Sequence, residues 1–276
     1  PQDSSAASDV YKRQPEPVRR ALLEGASWWA KAFEDAGFAD AYRVEILPEG
    51  VHPLDIRYNV IQWVHRATRG WSYGSSVRDP RTGEIIKGHV TLGSLRVRQD
   101  MLIAEALTAP FTDGVEVSQA AMDMALARLR QLAAHEVGHT LGLNHNFAAS
   151  SMGDASVMDY PHPNLYLDEL GDVRLDRAYK KGVSPWDIWT IRYGYSQFAP
   201  EQEQQALETL LQEADSRGYL FISDADARVP GSSYPEAHLW DNGIDPIERL
   251  KELMAIRKVA LDSFGDTVLP PGRPLH

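Results

Sequence analysis

Three histidines and one glutamate stand in a single run, His135-Glu136-Val137-Gly138-His139-Thr140-Leu141-Gly142-Leu143-Asn144-His145, at a spacing that suits one metal ion. On a helix His135 and His139 lie about 40° apart around the axis, so both rings reach one ion from one face. Gly142 has no Cβ and can end that helix in a left-handed conformation, after which the chain can return His145 as a third ligand. Three neutral imidazole nitrogens at roughly 2.0–2.1 Å leave a fourth tetrahedral position open for water, the arrangement of a catalytic zinc site. Glu136, beside the first ligand and not needed as one, is the expected general base. A bare HExxH pattern arises by chance in many chains, whereas HExxHxxGxxH constrains five positions and has a stated mechanism.

Downstream, Ser156-Val157-Met158-Asp159-Tyr160 follows a short loop-like run rich in Ala, Ser, Gly and Asn. A lone methionine is ordinarily core filler. Placed after a third histidine, the segment resembles the Met-turn that lies beneath the metal in the metzincin clan of metallopeptidases, and Ser-x-Met-x-Tyr is most similar to the astacin and serralysin version. The resemblance implies one catalytic Zn2+ held by His135, His139 and His145. It also implies Glu136 as base, Met158 as the turn methionine and Tyr160 as a mobile tyrosine that stabilises the transition state. The competing reading of Tyr160 is an aromatic packed in the turn before Pro161.

Outside these motifs, Trp71-Ser72-Tyr73-Gly74, Asp79-Pro80-Arg81-Thr82-Gly83-Glu84 and the segment to Arg98-Gln99-Asp100 resemble the catalytic part of large bacterial zinc-dependent metalloproteases of poorly characterised function. Most of residues 15–276 fit that resemblance. The chain departs from astacins and matrixins in lacking cysteine and in its long C-terminal extension, so their substrate preferences do not transfer. The implied fold is α+β: a twisted mixed sheet with a backing helix and an active-site helix, then a largely irregular and helical C-terminal subdomain. The implied activity is endopeptidase action on a peptide or protein substrate, outside the cytoplasm in the periplasm or as a secreted enzyme. Two alternatives stand beside it: a zinc amidase acting on a non-protein substrate such as cell-wall peptide, and a catalytically silent zinc-stabilised binding module. Glu136 beside an intact ligand set argues against the silent module, because a structural site has no use for a base.

Composition narrows the classes further. With 276 residues, 43% of them apolar, the chain is long enough for a packed core. The charge balance, 28 basic against 39 acidic residues, is −11, and no basic run suits a phosphate backbone, which argues against nucleic acid as a partner. No stretch has the length of a membrane span. The absence of cysteine excludes disulfides and thiolate metal sites and leaves the compartment open.

The elements that must position the site divide the chain into four expected parts. Residues 1–14 are polar and aperiodic, resemble an assembly-derived leader, and are expected to lie outside the fold. Residues 15–145 form an N-terminal catalytic subdomain ending in the zinc helix, 146–200 a C-terminal catalytic subdomain with the Met-turn, and 201–276 a helical extension that stops without a terminating element and packs on the catalytic unit. Within these, Pro15–Ala36 reads as an amphipathic helix and Tyr42–Leu47 and Asp55–Val64 as strands. Asp79–Gly83 is a turn. Glu84–Leu95 is the expected sheet edge over the metal, where an extended peptide can add as a strand. Ser118–Leu141 is the active-site helix, with Val137 and Leu141 facing the core. Ser184-Pro185-Trp186-Asp187 starts another helix, on which Trp186, Trp189 and Tyr193 are expected in the core. Asp168, Glu169, Asp172 and Asp176 lack calcium-loop spacing and read as a solvated face. Beyond Pro200 the pattern gives a helix to Gly218, a short strand over Tyr219–Ser223, and a last helix opened by a capping box of Asp245 and Glu248.

Overall fold

Strand β1 (Ala6–Val10) and helix α1 (Glu16–Asp35) open this computed structural model, which describes residues 6–10, 14–66, 71–111, 117–153, 156–227 and 229–273. The face of α1 read from its apolar spacing is the buried one: Val18, Ala21, Leu22, Trp29, Ala32 and Phe33 all lie in the core. Strands β2 (Tyr42–Ile46), β3 (Asn59–Val64), β4 (Tyr73–Arg78) and β5 (Ile85–Gly93) join β1 in a five-stranded sheet of order β2-β1-β3-β5-β4. All neighbours are parallel except β4, which runs antiparallel to β5.

Two expectations about this sheet fail. Ala6–Val10, set outside the fold on composition, fills the slot between β2 and β3 and pairs with both. Backbone pairing needs no particular side chains, so a polar, aperiodic sequence carried no sign of it. The remainder of the leader, residues 1–5 and 11–13, lies outside the described residues, as do 274–276 at the other end. The second correction concerns the edge: β5 is hydrogen-bonded on both sides, by β3 and β4, and buries Val90 and Leu92. The edge is β4, rich in Ser and Gly and mostly exposed. An edge strand needs no continuous apolar run, whereas a strand paired on both sides and covered by helices does. The turn read at Asp79–Gly83 connects these two strands, with Gly83 at φ +77°.

Helices α2 (Leu95–Thr108) and α3 (Gln119–Thr140) follow. Ser118 caps α3 by accepting from the Ala121 N–H at 3.2 Å. α1 crosses α3 so closely that a Cβ on Gly25 would overlap the Arg130 carbonyl, and the Trp29 indole donates to the Ala134 carbonyl at 2.8 Å. α3 also packs on β4 and β5, so the run bearing His135 and His139 is held between sheet and backing helix.

After α3 the chain passes through a 3₁₀ turn (Ala149–Met152), a hairpin of β6 (Tyr166–Leu167) and β7 (Val173–Arg174), and helices α4 (Pro185–Tyr195), α5 (Glu203–Ser216), α6 (Asp224–Ala227) and α7 (Pro246–Asp262). Of the acidic residues around the hairpin, Asp168 closes the turn by accepting from the Leu170 and Asp172 N–H groups, Asp176 accepts from the Tyr166 hydroxyl, and Glu169, Asp172 and Asp176 are exposed. α4 carries a full capping box between Ser184 and Asp187 and buries Trp186, while Trp189 is half-buried and Tyr193, expected in the core, is exposed. Tyr219–Ser223 is not a strand. It is a strap tied to Asn146, whose Nδ2 donates to the Leu220 carbonyl and whose Oδ1 accepts from the Ile222 N–H. Asp245 caps α7 as expected, but Glu248 pairs with Lys251 and does not reach back. α7 packs on α2 and the hairpin, with Ile256 and Ala260 buried. Among the described residues no helix is long and apolar enough to cross a membrane.

Candidate metal centre and active site

The helix carrying the motif ends where a glycine permits it. Leu141 is the C-cap, Gly142 has φ +92°, and the Leu143 N–H reaches the Gly138 carbonyl at 3.1 Å while the Gly142 N–H reaches that of His139 at 3.1 Å. This pair of bonds is the Schellman arrangement, and it turns the chain so that His145 comes back over the helix end. The three Nε2 atoms converge: His139 Nε2 lies 3.1 Å from that of His135 and 3.2 Å from that of His145. These histidines are the one group of potential metal ligands found among the described residues.

The second nitrogen of each ring shows what the first is for. His135 Nδ1 lies 2.7 Å from the Val157 carbonyl, His139 Nδ1 2.8 Å from the Leu143 carbonyl, and His145 Nδ1 2.5 Å from Asp224 Oδ2. A carbonyl or carboxylate oxygen can only accept, so each Nδ1 carries the proton and each neutral Nε2 presents a lone pair. Burial and mutual proximity hold the His135 pKa well below its ordinary value, and burial lowers that of His139, which keeps both rings neutral. Lone pairs facing one another across about 3 Å repel unless a cation lies between them. Two arms of 2.0–2.1 Å at a tetrahedral angle end about 3.3–3.4 Å apart, so the spacing suits a zinc-sized ion.

Glu136 is buried on the same helix turn, and burial pushes its carboxyl up to about 7, against opposing effects of Arg128 and a hydrogen bond from the Gly74 N–H. That bond joins Glu136 to the edge strand. A Cβ on Gly74 would overlap the Glu136 carbonyl oxygen, so only glycine lets β4 approach α3 this closely. Gly74→Ala is therefore expected to push β4 off the helix, lowering stability by about 1–3 kcal/mol and disabling the site. Thermal unfolding of the purified variant checks this, and an unchanged midpoint would refute it.

Met158 is fully buried under the metal helix, where a Cβ on Gly138 would collide with its sulfur, so the glycine inside the motif makes room for the Met-turn. The turn is clamped by a carboxylate that the sequence places only at the start of α4: Asp187, also buried, accepts from the Ser156 hydroxyl at 2.5 Å and from the N–H groups of Val157 and Ser184. One side chain thus caps α4 and holds the turn whose Val157 carbonyl orients His135. The Tyr160 ring packs against His145 at 4.6 Å and His135 at 5.4 Å, and stacks on Trp240 at 5.0 Å between centroids. Trp240, at φ +62°, donates its N–H to the Tyr160 carbonyl.

The cleft above the histidines has a volume of about 380 Å³ and is walled by β4 from Tyr73 to Ser76 and by Tyr160. Asp224 and Trp240 come from the extension beyond residue 200, and only their arrival in space marks them; both types occur throughout the chain without meaning.

A family model described as Met-zincin matches residues 118–276, which contain all three histidines, Glu136, Met158 and Tyr160. No curated protein and no solved structure matches the chain. With more than half its length in that match, and with the histidine triad lying over a buried methionine, the chain belongs to the Met-zincin family.

Proposed function

We propose that this chain is the catalytic part of a zinc-dependent endopeptidase acting outside the cytoplasm. The observation that carries the chemistry is the set of three converging Nε2 lone pairs, each fixed by an acceptor on Nδ1, with Glu136 beside them. Zinc held by His135, His139 and His145 would supply a Lewis acid for the scissile carbonyl and would bring the pKa of a water beside it down to near 7. Glu136, whose carboxyl is raised to about 7 by burial, takes the proton of the attacking water and passes it to the leaving amine. The outer side of β4, at the end of the strand order, offers backbone groups along which an extended peptide can lie. The extracytoplasmic setting rests on the resemblance to bacterial metalloproteases.

Incubation of the zinc-supplied protein with casein tests this reading. Cleavage is expected, with loss on adding chelator and recovery with zinc; a zinc-loaded protein that leaves casein intact would overturn it. Tyr160 is proposed to share the developing oxyanion. Tyr160→Phe keeps the ring stacked on Trp240 and removes only the hydroxyl, so kcat should fall by up to about 10²-fold with KM and zinc content nearly unchanged. An unchanged kcat would leave Tyr160 a packing role.

A further inference from the structure

Beside the cleft, and sharing Ser72, Glu136 and Tyr160 with it, lies a second cavity of about 710 Å³ whose wall carries Arg66, Arg96 and Arg128. Three arginines on the wall of a cavity that Glu136 also lines form a local basic cluster in a chain of net charge −11. Arg128 stands on α3, two helical turns before His135 and so on nearly the same face. Its residue exposure is only 4%, yet it lines the cavity and forms no ion pair among the described residues. Its head-group contacts are the Gln131 side-chain oxygen and the Tyr179 ring, 5.6 Å away. Arg96 is held by buried Asp100 at 2.5 Å, and Arg66 donates to the Trp71 carbonyl. The three cations therefore have one carboxylate partner, Asp100, and Glu136 as a near neighbour.

A buried guanidinium whose carboxylate neighbours, Asp100 and Glu136, act on it without a direct ion pair is incompletely balanced, and the planar fork of arginine matches a carboxylate with two parallel hydrogen bonds. We propose that this cavity is a carboxylate-binding subsite: it receives an acidic side chain, or the terminal carboxylate, of a peptide whose scissile bond lies at Glu136. The proposal rests on the peptidase reading and names its substrate class. The negative charge of the whole chain gives no long-range attraction for such a peptide, so the preference comes from these local contacts.

The test uses the zinc-loaded full chain and fluorogenic peptides in which each position around the scissile bond carries Glu, Gln or Leu, with free or amidated C-termini. Binding of acetyl-Gly-Glu-Gly-amide, acetyl-Gly-Gln-Gly-amide and the free acid acetyl-Gly-Gln-Gly is measured in parallel by NMR titration, which needs no turnover. Charge-assisted hydrogen bonds predict a preference of about 10-fold or more for Glu over Gln at one position. An advantage seen only with unamidated peptides assigns the subsite to the terminal carboxylate and supports the proposal equally. The ratio should fall toward one in Arg66→Gln, a half-exposed position, and in Arg128→Lys, which keeps the charge and loses the fork; a ratio within one protein is insensitive to partial loss of fold. Cleavage of Gln and Leu peptides as fast as Glu peptides, free or amidated, overturns the subsite and keeps the peptidase. Selective binding of a carboxylate-bearing peptide without any cleavage keeps the subsite and overturns the peptidase. Neither cleavage nor selective binding overturns both.

Discussion

Glu136→Gln is expected to keep wild-type zinc content and an undisturbed fold while peptide hydrolysis falls by at least about 10²-fold, the lower end of what a positioned acid–base group contributes. The substitution preserves size and polarity, and the amide oxygen can still accept from the Gly74 N–H that meets the carboxylate. It removes only the capacity to take a proton. Because burial already opposes ionisation at this position, a neutral amide should be tolerated as well as the acid or better, so thermal stability should not decline. Steady-state hydrolysis on zinc-loaded protein of verified stoichiometry decides the matter. A variant that cleaves within a few-fold of wild type would remove Glu136 as the base and reduce it to a partner of β4.

His139→Ala should lower bound zinc from one per chain to a small fraction. Its Nε2 lies between those of His135 and His145, so its loss removes the central member of the triad. The Nδ1 partners give the comparison that separates a ligand from a group that orients one. Asp224→Ala leaves all three Nε2 atoms in place and frees only the His145 ring, so zinc affinity should weaken by about 10–100-fold, less than on removing the ligand itself. Competition against a chromogenic chelator measures both variants, with elemental analysis as a check. Full zinc occupancy in His139→Ala would overturn the triad as the metal site, and an unchanged affinity in Asp224→Ala would leave that carboxylate a surface contact.

The residues of the centre were legible because their periodicity is local. Positions 135 and 139 share a helix face whatever packs around them, and Gly142 can adopt a left-handed φ at little cost, so the clustering of the three histidines follows from a short run of chain. The α1 face, the Ser184 cap and the turn at Asp79–Gly83 were legible on the same ground. Errors fell where an element depends on its neighbours. The edge was expected at β5, and β4 was not expected as a strand, because a buried strand shows its apolar run whereas an edge is defined by what fails to pair with it. Ala6–Val10 had no pattern to read, since its place comes from the gap between β2 and β3.

By itself, then, the chain's order of residues determined the chemical groups: three imidazoles, a neighbouring glutamate, a helix-ending glycine and a methionine in a turn, all fixed by spacing on a helix or within a turn. Tertiary structure alone decided what orients and surrounds that chemistry. Asp224 is 79 positions from the histidine it holds, and Asp187 is 31 from the Ser156 hydroxyl it clamps. Gly74 matters only because a strand crosses the helix bearing Glu136, and Arg128 only because it lines a cavity beside the cleft. Hydrogen bonds, close approach and unbalanced charge are properties of separation in space, and the folded chain sets that separation through contacts that no local window of sequence contains.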